Sequence, residues 1–156
     1  MGDFQIDNVD EIVGIFENLN SKERKKAITN SLRKGIGILV KQTRQNLKKI
    51  VPTSTKVTTK GAFKGNKLSN GIRVKVWKNK QAVTASIMKD GRLKWLELGT
   101  KERTTKNRTK RKTHSTGQMQ PTNFFRDAKQ QTEEKVFNSI NQIISDEIKK
   151  IWDNKK

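Results

Sequence analysis

The 156 residues include no cysteine and no tyrosine. Without cysteine there are no disulfides, no thiolate metal sites and no cysteine nucleophile. Histidine occurs once, as His114, between Thr113 and Ser115 in a polar stretch. A histidine-based catalytic centre needs a partner at hydrogen-bond range, and such a stretch does not position one, so a solvated imidazole is expected. No apolar run nears the ~20 residues of a membrane span. The opening "MGDFQIDNVD" is acidic and lacks a signal peptide's basic start and apolar stretch. Its Met-Gly start has Ile6 where a myristoylation site wants Ser or Thr. The expectation is a soluble chain made in the cytoplasm, with no membrane partner.

Phosphate- and metal-binding patterns are also missing. There is no GxxxxGK[ST] run, and the "GIG" at 35–37 lies inside a helical pattern rather than after a strand. The acids are dispersed instead of clustered as metal ligands. The chain is therefore expected to be no enzyme and to carry no cofactor. Hydrophobic residues make up only 31% of it, against about 45–50% in a typical globular protein on a count that includes glycine. That predicts a single domain over 1–156 with a thin core and long polar excursions.

What the chain has in abundance is positive charge. The net value is +20, from 35 Lys plus Arg against 15 Asp plus Glu. Residues 1–20 hold five acids and no base. Residues 21–60 hold twelve bases and one acid, 61–100 nine and two, and 101–116 seven and one. Residues 117–156 are almost balanced, with seven and six. A basic middle between two non-basic ends attracts polyanions, whether nucleic acid or an acidic protein surface, and is equally the pattern of a solvated lysine-rich face.

Apolar residues at 9, 12, 13, 15, 16 and 19 predict a short acidic amphipathic helix within 1–19. Ile28, Leu32, Ile36, Leu39, Thr43, Leu47 and Ile50 then trace one stripe of a long basic helix. Asn20 or Ser21 is placed to cap it, and Pro52 ends it. Gly35 and Gly37 weaken its middle and point to a close crossing or a bend. Residues 53–71 have loop composition. Ile72–Met88 reads as a hairpin turning at "KNKQ", and "KDGR" as a second turn centred on Asp90-Gly91. No apolar period exists from Lys101 to Gln120. A long C-terminal helix then starts after Pro121, with Phe125, Ala128, Thr132, Val136, Ile140, Ile143 or Ile144, Glu147 and Ile151 on one face. Phe137, Ile148 and Trp152 widen that face. The fold class is α+β, a small antiparallel sheet (hairpin 72–88 plus short additions) against two long helices, with Leu39 and Ile144 in the core. Segments 53–71 and 101–120 are expected to be long mobile loops.

Two features carry the functional question. Glu97 stands between Leu96 and Leu98, where burial would raise its pKa. Catalysis also needs a second carboxylate or a nucleophile close by, and no spacing supplies one. A carboxylate that caps a turn or a helix N-terminus is the better reading, with Gly99 beside it marking a positive-φ turn. The basic arm 101–116 carries Lys101, Arg103, Lys106, Arg108, Lys110, Arg111 and Lys112. It has three readings: a solvated loop, an arm against nucleic-acid phosphates, or a segment that orders against a neighbouring subunit. It has no aromatic residue for base stacking, and no sequence-reading DNA motif is present.

The run "WLELGT" resembles the aromatic-rich Glu-Phe-Gly-Thr signature of the bacteriophage tail-component family, the head–tail joining or tail-completion proteins of long-tailed phages. Trp95, Glu97, Leu98, Gly99 and Thr100 occupy that signature. Phe124, Phe125 and Ala128 resemble the family's second motif, Pro-Phe-Leu-x-Pro-Ala, which opens a C-terminal helix. The match departs at three places. Leu98 replaces an aromatic, while Asn123 and Asp127 replace prolines. The resemblance implies a virion structural protein that assembles as a ring at the head–tail junction. Its partners would be its own copies, the head connector, the tail terminator or tail tube, and DNA passing through the ring. Loops 53–71 and 101–120 would be docking segments. Non-specific nucleic-acid binding through 101–116 is the alternative function.

Overall fold

Ser21–Ile50 forms one 30-residue helix, α1, in the computed structural model. The structure describes residues 21–60, 64–77, 82–87, 89–102, 115 and 117–153. The expected N-terminal helix, the hairpin turn at 78–81 and most of the basic arm lie outside those residues. Glu23 in the first turn of α1 and Lys48 and Lys49 in its last turn complement the helix dipole. Pro52 pushes Val51 out of helical geometry, to φ −125° and ψ 85°. A 3-10 turn follows at Pro52–Thr55, and another at Leu68–Gly71. Between them Val57 pairs with Lys67 in an isolated antiparallel bridge, and Gly65 turns with φ at 85°. Segment 53–71 thus contains local structure, and it buries Ser54, Leu68, Ser69 and Gly71.

Strands β1 (Arg73–Trp77) and β2 (Ala82–Ser86) form a two-stranded sheet. Val74 and Val76 are half-buried while Arg73, Lys75 and Trp77 are exposed, the alternation the sequence predicts. On the exposed face the Lys75 ammonium lies 3.7 Å from the Trp77 ring centroid, a cation–π contact. "KDGR" is not a free turn. Asp90 caps a further helix, α2 (Gly91–Leu98), and its Oδ1 accepts the Arg92 backbone N–H at 3.0 Å. The last helix, α3 (Phe124–Asp153), has 30 residues. It starts three residues later than Pro121, because the N–H groups of Thr122 and Asn123 are committed to α2 carbonyls. The fold class is α+β.

The chain divides into two compact units. The first holds residues up to Ile38, Val74–Thr84 and the part from Glu134 on. Here the sequence predicts Ile28, Leu32 and Ile36 as the buried stripe of α1. The structure instead buries Ala27, Ser31 and Gly35, one position earlier, with the three larger residues half-buried beside them. The cause is closeness between α1 and the antiparallel α3. A β-carbon on Gly35 would overlap Ile140 Cγ1 and stand 2.9 Å from Ile140 Cδ1. Small side chains fit on the seam itself, and large ones belong on its flanks. Gly37 has open space around it and no such duty. Ala27 packs on Ile148, with Ile144 and Ile151 partly buried around them. Ile144, expected at the core, is therefore at its rim, and Ile148 is at its centre. Phe137 is 66% exposed and does not widen the packed face.

The second unit holds Leu39–Arg73 and Ala85–Glu133. Leu39, Thr43 and Leu47 are buried as predicted, but Ile50 is exposed and Asn46 is buried in its neighbourhood. On α3, Phe124 rather than Phe125 is the buried aromatic, followed by Ala128 and Thr132. The buried threonine hydroxyls of α1 and α3 are satisfied within their own helices. Thr43 Oγ1 donates to the Leu39 carbonyl and Thr132 Oγ1 to the Ala128 carbonyl, each at 2.8 Å.

Candidate functional site

The two segments that carry the family resemblance meet in the second unit. Glu97, on the last turn of α2, is 7% exposed. Its Oε2 accepts the Phe125 N–H at 2.8 Å and its Oε1 accepts the Arg126 N–H at 3.1 Å. Phe125 and Arg126 lie in the first turn of α3, whose opening N–H groups have no partner within the helix. The cap is thus a carboxylate 28 residues before Phe125 in the chain. The negative charge also sits at the positive end of a 30-residue helix. Both oxygens are engaged by backbone, and this is the arrangement of a structural cap.

The bonding is reciprocal. The Leu96 carbonyl, at the end of α2, accepts from Thr122 N at 2.9 Å and from Thr122 Oγ1 at 2.8 Å. The Glu97 carbonyl accepts from Asn123 N at 3.3 Å. Thr100 N donates to the Met119 carbonyl at 2.9 Å, and Thr100 Oγ1 accepts from Met119 N at 3.1 Å. The C-terminus of α2 thus satisfies the N–H groups of the chain entering α3, and α2's carboxylate satisfies the helix itself. Gly99 is required twice. Its φ is 72°, and a β-carbon there would stand 2.6 Å from the Met119 carbonyl oxygen and 2.9 Å from Pro121 N. Asn123 has φ 51°, a value closed to proline.

The other end of α2 is held by an ion pair that sequence reasoning did not find. Arg92 Nη2 stands 2.7 Å from Asp90 Oδ2, and Arg92 Nε bonds both carboxylate oxygens. Hydrogen bonds from Arg92 hold the Asp90 carboxyl below the usual carboxylate range, against the upward push of burial. Arg92 also reaches Thr58 Oγ1 at 3.4 Å. The available signal was the preference for Asp immediately before a helix, masked by the turn-like Asp-Gly pair. A small cavity of about 80 Å³ beside Asp90 is lined by Asn66, Lys67, Asn70, Gly71 and Lys89.

With its ends fixed, α2 presents apolar side chains outward. Trp95 is 47% exposed and Leu98 64% exposed, while Leu93 and Glu97 face inward. The acid of this run is thus inside, while its Trp95 and Leu98 are outside. Phe124 and Ala128 are buried, Phe125 and Thr100 half-buried. Of the basic arm, Lys101 is exposed, whereas Arg103, Lys106, Arg108, Lys110, Arg111 and Lys112, with His114, lie outside the described residues. Among the described residues no group of three or more His, Asp or Glu is arranged to hold a metal ion, and no helix is long and apolar enough to cross a membrane. Comparison with protein-family models, with curated proteins and with solved structures finds no match to this chain.

Proposed function

We propose that the chain is a phage or prophage virion structural protein of head–tail joining or tail completion, working as a ring of like copies docked at the head–tail junction. The supporting observation is the junction between residues 95–100 and 124–128. Glu97 of the first segment caps the helix opened by the second, at 2.8 and 3.1 Å. Glu97, Gly99, Thr100, Phe124 and Ala128 each have a physical duty there: a buried carboxylate, a positive-φ glycine, a threonine that bonds the returning chain, and a buried aromatic and alanine on α3. The product of this arrangement is a fixed base under an exposed apolar pair, which serves docking rather than turnover. Neighbours in the assembly are further copies, the head connector and the tail terminator or tail tube. The net charge of +20 suits a ring through which DNA passes.

The test is the mass and shape of the purified chain, alone and with its tail partners, alongside duplex-DNA binding across a salt titration. Closed rings are expected. A chain that stays monomeric at high concentration, yet binds duplex tightly with a steep salt slope, is instead a free nucleic-acid-binding protein.

A further inference from the structure

We infer that the surface built by Leu39–Arg73 and the start of α2 seats the phosphate backbone of duplex DNA, with one phosphate in the cavity beside Asp90. The inference rests on the assembly reading for its setting and names the surface that meets the DNA.

The positive charge is not shared evenly. The residues of the second unit hold 21 bases against five acids, net +16, and those of the first hold 14 against ten, net +4. Within the second unit, Leu39–Arg73 holds nine bases and no acid. All nine are exposed, and among the described residues none is in an ion pair. A surface that fits a protein partner sets charges of both signs one against another. Thirty-five residues without one carboxylate suit a ligand that is negative along its whole length. Duplex DNA carries one charge per about 1.7 Å of axis, so a row of cations finds phosphates in any register.

The surface has a row and a seat. Lys41, Arg44 and Lys48 are three and four residues apart, so they line one side of α1 over about 10 Å. Arg44 Nη2 donates to the Ile72 carbonyl at 2.6 Å, which ties that row to the end of the 3-10 turn Leu68–Gly71. Gly71, next in the chain to Ile72, lies in the wall of the cavity of about 80 Å³. A single water needs only about 10–15 Å³. Lys67 and Lys89 supply the cavity's charge, and the Asn66 and Asn70 amides can donate to phosphate oxygens. The acid in its wall, Asp90, has both oxygens bonded by Arg92. The walls are fixed from within the chain. The Asn66 carbonyl accepts from Thr58 N at 3.0 Å, and the Lys67 carbonyl from Asn70 N at 3.1 Å. A β-carbon on Gly71 would stand 2.9 Å from Asp90 Cβ, so the turn packs directly on the start of α2. The described residues of Leu39–Arg73 include no aromatic for stacking on unpaired bases. Binding is then indifferent to sequence and favours duplex over single strand.

The test titrates the full chain into a short random-sequence DNA duplex and reads fluorescence anisotropy across a range of salt. Lys67→Gln with Lys89→Gln removes the charge of the seat, and Lys41→Gln with Lys48→Gln that of the row. Each pair should weaken binding at least about tenfold and lower the salt slope by about two. Lys25→Gln with Lys149→Gln takes the same charge from the first unit. That pair should change affinity by less than about twofold, since exposed charges that touch no phosphate are screened. A single strand of the same sequence should bind more weakly, and poly-glutamate should compete poorly. All six lysines are exposed, and matching melting curves check that the variants fold. Equal losses from all three pairs, no loss from any, or loss confined to substitutions in 101–116 overturns the inference. So does a single strand that binds more tightly than duplex. Poly-glutamate that competes as well as duplex overturns it too, and assigns the surface to an acidic protein. Each of these results leaves the assembly reading standing. A chain that binds duplex through the seat yet forms no ring overturns the assembly reading alone.

Discussion

The two units pair the same two helices by different chemistry. In the first, α1 and α3 meet through a seam of small residues, Ala27, Ser31 and Gly35, against Ile140, Ile144 and Ile148. In the second they meet through buried polar groups. Asn46 Nδ2 donates to the Phe124 carbonyl and to Gln131 Oε1, both at 3.3 Å, and Gln42 adds a bond to Gln131 at 3.1 Å. Each unit also has one prominent acid that bonds a different element. Glu147 takes Lys34 at 2.8 Å in a pair whose lysine is 56% exposed. Glu97 is buried and takes two backbone N–H groups. The difference teaches where specificity lies. An apolar seam tolerates small sliding, whereas a carboxylate bonded to two chosen N–H groups fixes one register. The unit that carries the exposed Trp95 and Leu98 is the one fixed by polar bonds.

Ile148→Ala breaks the seam and should have the largest effect, about 2–5 kcal/mol of stability lost in urea unfolding. Glu97→Ala breaks the junction and should cost about 2–4 kcal/mol, since it strands buried donors at the start of α3. Glu97→Gln should recover part of that, because its amide oxygen still accepts one bond. If Glu97→Ala left the melting temperature unchanged, the contrast between the units would collapse.

The two glycines of α1 sharpen the seam side. Gly37→Ala should stabilise by about 0.5–1 kcal/mol through helix propensity alone, since its surroundings are open. Gly35→Ala gains the same propensity but crowds Ile140, so it should be neutral to about 2 kcal/mol destabilising. Opposite signs at positions two apart would mark the close approach, and equal effects would remove it.

The smallest effect is one of pH. The Asp90 carboxyl is lowered mainly by hydrogen bonds from Arg92, and that of Glu147 mainly by the bond from Lys34. A carboxyl whose folded value is depressed adds stability above its unfolded value, near pH 4, and loses it as pH falls through the depressed value. The stability gap between the unaltered chain and Asp90→Asn should therefore be full at pH 6 and narrow below about pH 4. A gap constant from pH 6 to pH 2 would contradict the assignment.

Legibility in the sequence followed physical range. Local signals were readable. Pro52 ends α1, Gly99 has positive φ, the valines of β1 alternate, and Glu97 caps a helix N-terminus. Signals set by a partner were not. The seam lies one residue away from the large-apolar stripe because closeness selects for small size, and no periodicity of large residues reports that. The start of α3 moved from Pro121 to Phe124 because residues 122 and 123 bond α2, a contact more than twenty residues away. The helix at Gly91–Leu98 was hidden by its inversion, with its acid inward and its Trp and Leu outward. A buried carboxylate with backbone partners and an exposed apolar pair both defeat a reading by hydropathy.

The central claim is location, and one measurement tests it most directly. The chain, tagged at its C-terminus, is localised by gold labelling on particles made by a host that carries its gene. The account expects one focus of label per particle, at the head–tail junction. Complete particles without label, with all of the protein left in the unassembled fraction, would contradict it.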